Sequence, residues 1–287
     1  MTNFVALGGG HGTAVTLRAA LSAGFSVTGI VSVADNGGST GRLREILDVA
    51  AVGDIRKCLV ALADEDNRLA ENFEHRFMRG ELRGHAVGNL VLAGLIETAA
   101  SLEEAIEIVS DSLNIRGRVI PASREGVELL AVTDSGVAEG QTSVSSSTAI
   151  RRVAVRPASA RAPRAAVEAI SEAGVVVYGP GSIFSSVLAA CVVPGISEAL
   201  SDSSAPKFLV VNLYPQFPEA EGFSTGQYVE AFRAHGVPLD GVIVDTSTEI
   251  SSLEGLDVQM VRAPLRVSSG KTHDSELLAR VLSELVP

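Results

Sequence analysis

Short apolar, β-branched runs alternate along this chain with helix-patterned segments, and the first two runs end in glycine-rich loops. Phe4–Leu7 reads "FVAL", and "GGGHGT" follows before Val15, Leu17 and Leu21 take up helical spacing. Phe25–Val33 reads "FSVTGIVSV", and "ADNGGSTGRLR" follows it. A short run without polar alternation fits a strand buried on both faces, the usual state in a parallel sheet covered by helices. The pattern resumes with strands expected at Val175–Tyr178, Lys207–Asn212 and Gly241–Asp245. Helices are expected over 54–64, 84–99, 101–114, 163–173, 182–192, 224–235 and 274–285. Asp54 is a candidate cap for the first of these, and Ser101-x-x-Glu104 has the form of a capping box. Residues 118–156 differ, with short alternating runs rich in Ser and Thr that predict antiparallel strands. The expected architecture is an α/β three-layer sandwich with a mostly parallel sheet and a small antiparallel insertion at 118–156, all within one domain over 1–287.

The net charge of −11 argues against non-specific binding to nucleic acid or to anionic membranes, which needs a basic surface. It leaves room for a small anionic ligand, because a local group of arginines can oppose the global sign. Cys58 and Cys191 lie far apart in apolar helical contexts and read as two buried thiols. The start "MTNFVALGGG" lacks a signal-peptide pattern, and no apolar run is long enough to span a bilayer, so a cytoplasmic protein without a membrane span is expected.

In an open parallel sheet, ligands bind beyond the carboxyl ends of the strands. The loops there carry the candidate ligand-binding residues. Gly9, Gly10, His11, Gly12 and Thr13 lead from the first strand into a helix, where free N–H groups attract anions. The dinucleotide fingerprint fails because Thr13 stands where its third glycine belongs, and no Gly-Lys-Ser/Thr follows. A nicotinamide-dependent oxidoreductase is therefore disfavoured. After the second strand, Asp35 is placed to grip ribose hydroxyls, with Asn36, Gly37, Gly38 and Ser39 beside it. Gly37, Gly38 and Gly41 can cradle an anion with backbone N–H groups, and Arg42 and Arg44 can add bidentate contacts to a diphosphate. The alternative for this stretch is a solvated surface turn. Arg56 falls in a helix's first turn, where the dipole opposes a cation, which favours a ligand or an acidic partner. His85 and Asn89, four apart, share a helix face; a satisfied core histidine is the competing reading. Gly181 and Ser182 follow the Val175–Tyr178 strand, and Asn212 and Gln216 follow the next. Ser182 also reads as a simple helix cap. No catalytic residue, nucleophile–base pair or metal motif stands out in the sequence.

The segments "ALGGGHGT", "VADNGGSTGRLR", "GDIRKCLVALAD", "GHAVGNLVLAGL", "YGPGSIFSSVL" and "VPGI" together resemble the YvcK-like branch of the CofD-like family. The resemblance implies a Rossmann-like fold and binding of a UDP-sugar, notably UDP-N-acetylglucosamine, by a regulatory protein with no established catalysis. It also implies a role in growth and cell shape on gluconeogenic carbon sources, acting through an unidentified protein partner, and it is compatible with a homodimer. The alternative is the other branch, the 2-phospho-L-lactate transferases, which would bring a nucleotide-activated donor and magnesium. Gly-Pro-Gly-Ser at 179–182, where the transferases tend to have Asn-Pro, favours the first branch. This chain departs from the branch pattern at His11, Asn36 and Lys57, where Thr, Asp and Asn are usual. Thr272 stands in place of an arginine linked to the sugar, with Lys271 beside it as a substitute charge, and a tyrosine linked to the sugar is missing around Leu253 to Leu256.

Overall fold

The computed structural model describes residues 1–47, 49–248, 257–267, 270 and 272–285; Lys271 and residues 253–256 lie outside it. The strands are β1 (Asn3–Gly8), β2 (Ser26–Val31), β3 (Arg118–Pro121), β4 (Glu128–Thr133), β5 (Gly136–Glu139), β6 (Ile150–Arg156), β7 (Val175–Tyr178), β8 (Lys207–Val210), β9 (Gly241–Asp245) and β10 (Gln259–Ala263). Seven of them form one sheet in the order β10-β9-β8-β7-β1-β2-β3, with every neighbouring pair parallel. From β1 the chain moves outward through β2 to β3, and from β7 it moves outward the other way to β10. The reversal lies between β1 and β7, so the loops leaving these two strands diverge and open a crevice.

The strands are buried because helices cover the sheet. All four residues of β7 and of β8 are buried, and in β1 only Asn3 is exposed. The edge strand β10 is only partly buried, and its register was not legible in the sequence. The antiparallel sheet β5-β4-β6 begins at Glu128, later than the expected boundary of 118. Arg118–Pro121 instead extends the parallel sheet beside β2. A four-residue run is too short to show a period, and burial of Val119 and Ile120 between sheet and helices decided it.

The first helices are α1 (Gly10–Ser22), α2 (Gly38–Leu47), α3 (Gly53–Leu62), α4 (Arg68–Glu74), α5 (Val87–Thr98), α6 (Leu102–Leu113) and α7 (Gln141–Ser145). At α6 the Ser101 hydroxyl accepts the Glu104 N–H at 3.1 Å, while the Glu104 carboxylate reaches Ala100 N–H at 2.5 Å rather than closing the box on Ser101. α2 is a helix where a glycine loop was expected. Its opening residues Gly38, Ser39, Thr40 and Gly41 are poor helix formers, but Leu43 buries against Val49 and Ala93 and supplies the packing that propensity lacks. Both cysteines are free and buried. No single helix among the described residues is long and apolar enough to cross a membrane.

Two contacts fix the crevice. The amino end of α1 lies directly against the turn after β7: a Cβ on Gly12 would run into the carbonyl of Pro180. On the far side, Asp245 at the end of β9 gathers the returning chain. It accepts the N–H of Leu265 at 2.8 Å, that of Ser247 at 2.9 Å and the Nε of Arg266 at 3.1 Å. Arg266 also donates to the Tyr214 hydroxyl at 2.6 Å, and its bridge partner is His273. Burial alone would raise the Asp245 pKa, but a hydrogen bond from the Ser247 hydroxyl together with those from Leu265, Ser247 N–H and Arg266 outweighs it and brings it down to about 2.

Gly12→Ala is expected to cost about 1–3 kcal/mol, because the new methyl meets backbone that cannot swing away; urea denaturation midpoints measure it. Asp245→Asn is expected to cost about 1–3 kcal/mol at neutral pH. Since the folded pKa is depressed, this stabilisation is present above the unfolded value and is lost as pH falls from about 5 toward 2. The gap between wild type and variant therefore closes on acidification; a gap independent of pH would show that the carboxylate charge is not what holds the segment.

Candidate functional site

A cavity of about 380 Å³ opens at the switch point. Its floor is the loop from β1 into α1. Gly8 and Gly10 both take positive φ, +148° and +72°, which lets the chain turn sharply into the helix. Gly9 is bare for a different reason, since a Cβ there would strike the Asp54 carboxylate and come within 2.9 Å of Ser186 Oγ. Thr13 is buried and braces the loop by donating to the Gly9 carbonyl at 3.1 Å. Gly9, Gly10, His11 and Gly12 are all on the cavity wall, as the sequence indicated.

The opposite wall is the turn after β7. Gly181 and Ser182 face the cavity, joined by Ser186 from the following π-helical turn, Ile183–Leu188. The Ser182 side chain makes no capping hydrogen bond, which leaves its hydroxyl on the wall. Asn212 holds this turn in place by donating to the Gly181 carbonyl at 2.7 Å. Glu219 supports it from behind, accepting the Ser185 hydroxyl at 2.6 Å and the Phe184 N–H at 3.1 Å. Gln216 also lines the cavity, and its Oε1 is buried without a hydrogen-bond partner among the described residues.

Asp35 closes the third side. Its Oδ1 accepts the Gly37 N–H at 2.8 Å. Burial raises its pKa, and the nearby Asp54 charge adds to the rise. Asp54 was expected to cap its helix; Val52 holds the cap position instead, and Asp54 sits in the first turn, facing the cavity and paired with Lys57 at 2.9 Å. Asp54, Lys57, Gln141, Ser186, Thr272 and His273 also line the wall. Ser186 is one of the hydroxyls the sequence offers after β7, and Thr272 stands at a position the resemblance links to the sugar, whereas Asp54, Lys57, Gln141 and His273 are not among the sequence candidates for the site. Gln141 arrives from the antiparallel insertion. His273 arrives from the segment that Asp245 holds; its Nε2 lies 3.2 Å from the Val211 carbonyl, and burial lowers its pKa, keeping the ring neutral.

The remaining candidates are elsewhere. The expected glycine cradle became the first turn of α2, where the Gly41 N–H bonds to the Gly37 carbonyl at 3.0 Å. Asn36 accepts the N–H and hydroxyl of Thr142, at 2.8 and 2.9 Å, and so fastens the insertion beside the cavity. Ser39, His85 and Asn89 form a buried chain, with Ser39 Oγ 3.0 Å from both His85 Nδ1 and Asn89 Nδ2. Burial, with Arg42 and Arg76 nearby, lowers the His85 pKa, so this is a neutral core network joining α2 to α5. Arg42 donates to the Arg83 carbonyl at 2.7 Å and Arg44 to the carbonyls of Asp35 and Val127, at 3.0 and 3.1 Å; neither is on the cavity wall. Arg56 is 1% exposed and lies beneath a neighbouring cavity, 3.3 Å from Glu74.

Chemically, the wall offers backbone donors, hydroxyls and carboxamides, two carboxylates and one lysine. This set suits a polar ligand bearing phosphates and hydroxyls. No group of three or more His, Cys, Asp or Glu able to hold a metal occurs among the described residues.

The family model described as "2-phospho-L-lactate transferase CofD" matches residues 4–279. A gluconeogenesis factor from Halalkalibacterium halodurans is 40% identical over 236 residues, covering 81% of this chain and 73% of that one. A gluconeogenesis factor from Listeria monocytogenes is 34% identical over 249 residues, covering 85% and 77%. A crystal structure of a UPF0052-family protein from Bacillus halodurans matches at a TM-score of 0.92 and 33% identity, over 99% of this chain and 98% of that one. With most of its length matched by the family model and by these relatives, the chain belongs to the CofD family, on the side of the gluconeogenesis factors.

Proposed function

We propose that this protein is a regulatory binder of a nucleotide sugar, of the UDP-N-acetylglucosamine kind, which holds its ligand without consuming it. It would serve growth and cell shape under gluconeogenic conditions through a protein partner. The observation that carries this reading is the composition of the switch-point cavity, where two strand-to-helix loops face each other and offer backbone N–H groups and hydroxyls. Glycine loops at helix amino termini hold phosphates. The unpartnered Oε1 of Gln216 is an acceptor awaiting a donor, such as a sugar hydroxyl or a base N–H. Ser182, Ser186, His11 and His273 all reach the wall, yet among the described residues no serine–histidine hydrogen bond joins them into a nucleophile–base pair.

One observation favours the transferase alternative. Asp35 and Asp54 share the cavity, and Asp54 supplies the second carboxylate that Asn36 withholds. Two carboxylates together with a substrate's phosphates are an ordinary magnesium site, so these residues fit that ion. Magnesium would supply charge neutralisation at the leaving phosphate. Lys57, already paired with Asp54, can provide part of the same neutralisation in its absence.

Calorimetric titration with UDP-N-acetylglucosamine, with and without magnesium, is expected to give saturable binding, and chromatography after hours of incubation is expected to recover the ligand intact. Enzyme-dependent release of UDP or UMP, or transfer from a guanylylated phospholactate to a deazaflavin, would replace the regulatory reading with the transferase one. Gln216→Met is expected to weaken binding by about 0.5–1.5 kcal/mol, roughly 2- to 12-fold, the worth of one hydrogen bond. Its melting temperature is expected to stay near that of wild type, because the lost oxygen bonds nothing in the free protein.

A further inference from the structure

Beside the first cavity lies a second, of about 310 Å³, between α1, α3 and the end of α4. Its charged wall residues are Arg18, Arg56, Lys57 and Arg76 against the single carboxylate of Glu74. This is a cationic pocket in a chain of net charge −11. Arg56 is its unusual member. The side chain is 1% exposed, and neither Nε nor Nη1 has a hydrogen-bond partner among the described residues. Glu74 is near enough to attract it, at 3.3 Å from Nε, but is not aligned to accept the N–H. A guanidinium carries five donors in a rigid fork, and leaving them unmet in a buried place is costly.

Local structure gives no reason for the residue to be there. Arg56 is in the first turn of α3, where the helix dipole repels a cation. Its stem is nonetheless locked, because Gly88 leaves the space it occupies: a Cβ on Gly88 would approach its Cγ and Cδ to 2.9 Å. The chain thus holds a buried guanidinium with two unmet donors at a fixed position beneath a cavity ringed by other cations. Such an arrangement matches an oxyanion, phosphate or carboxylate, that brings acceptors to these donors.

We infer that the Arg56 cavity is a second binding site, for a small oxyanion, contiguous with the switch-point cavity. His11, Val15 and Lys57 line both cavities. The anion is therefore either a free molecule or an anionic group of the ligand held next door. The site stands whether or not the first cavity takes a nucleotide sugar.

The test is calorimetric titration of the full chain with inorganic phosphate, in a buffer free of other oxyanions. One phosphate per chain is expected, with affinity falling tenfold or more in Arg56→Lys, which keeps the charge and loses the fork. Circular dichroism and thermal melting check that this buried variant still folds. The double variant Arg18→Gln/Arg76→Gln, at less buried positions, is expected to weaken phosphate several-fold without relying on Arg56. Titration in saturating UDP-N-acetylglucosamine then separates the sources: retained phosphate binding identifies a free anion, and competitive loss identifies part of the neighbouring ligand. No phosphate binding at millimolar concentration, or equal affinity in wild type and both altered proteins, would overturn the inference. If the nucleotide sugar fails to bind while phosphate depends on Arg56, only the proposal for the first cavity falls.

Discussion

The contact between the Gly12 backbone and the Pro180 carbonyl is the constraint on which the rest of the site depends. It joins the two halves of the sheet at the point where strand order reverses. With no side chain between them, α1 and the turn after β7 meet at backbone distance. Their glycine loops then face one another across a space that neither could form alone. The same closeness excludes bulk at Gly9, where the Asp54 carboxylate and Ser186 hydroxyl already occupy the room a Cβ would need.

Around that contact the chain spends much of its polar chemistry on positioning. Asn212 fixes the Gly181 turn, Glu219 backs the serines, Asn36 ties the insertion down, and Asp245 with Arg266 brings in His273. These links reach the cavity from four separate parts of the sequence. Fixed donors and acceptors recognise a ligand with less ordering cost than flexible ones. The distribution of charge follows the same logic. Arg42 and Arg44, obvious anion ligands in the sequence, are used as staples to backbone carbonyls. Arg56, which looks misplaced, keeps two buried donors unmet among the described residues.

The family model is described as a 2-phospho-L-lactate transferase and the matched relatives as gluconeogenesis factors, and the balance between a transferase and a binder here turns on few groups. The switch-point wall keeps two carboxylates but no serine–histidine pair among the described residues. A binder and a transferase can share the phosphate-holding loops, because holding and transferring both begin with the same backbone donors. What would separate them is charge placed at a leaving group, and the charged groups on this wall are Asp35, Asp54 and Lys57.

The sequence by itself determined the α/β class, the order of the buried strands and the glycine loops that end them. These are local signals: apolar runs without alternation, and glycines where a strand must turn into a helix. It also located Gly9 to Gly12, Asp35, Gly181, Ser182, Asn212 and Gln216 on one cavity, because residues after strand ends converge in such a sheet. Tertiary structure decided the rest. α2 formed despite its glycines because burial of Leu43 outweighs propensity, and β3 joined the parallel sheet because Val119 and Ile120 bury there, which a four-residue run is too short to signal. Whether a side chain binds a ligand or a carbonyl depends on what lies across the fold from it. Arg83 for Arg42, Thr142 for Asn36 and Ser39 for His85 and Asn89 are partners 41 to 106 residues away, beyond any local pattern. Asp54 could not be read as a wall residue for the same reason, since only the close packing of α1 and α3 turns it toward the glycine loop.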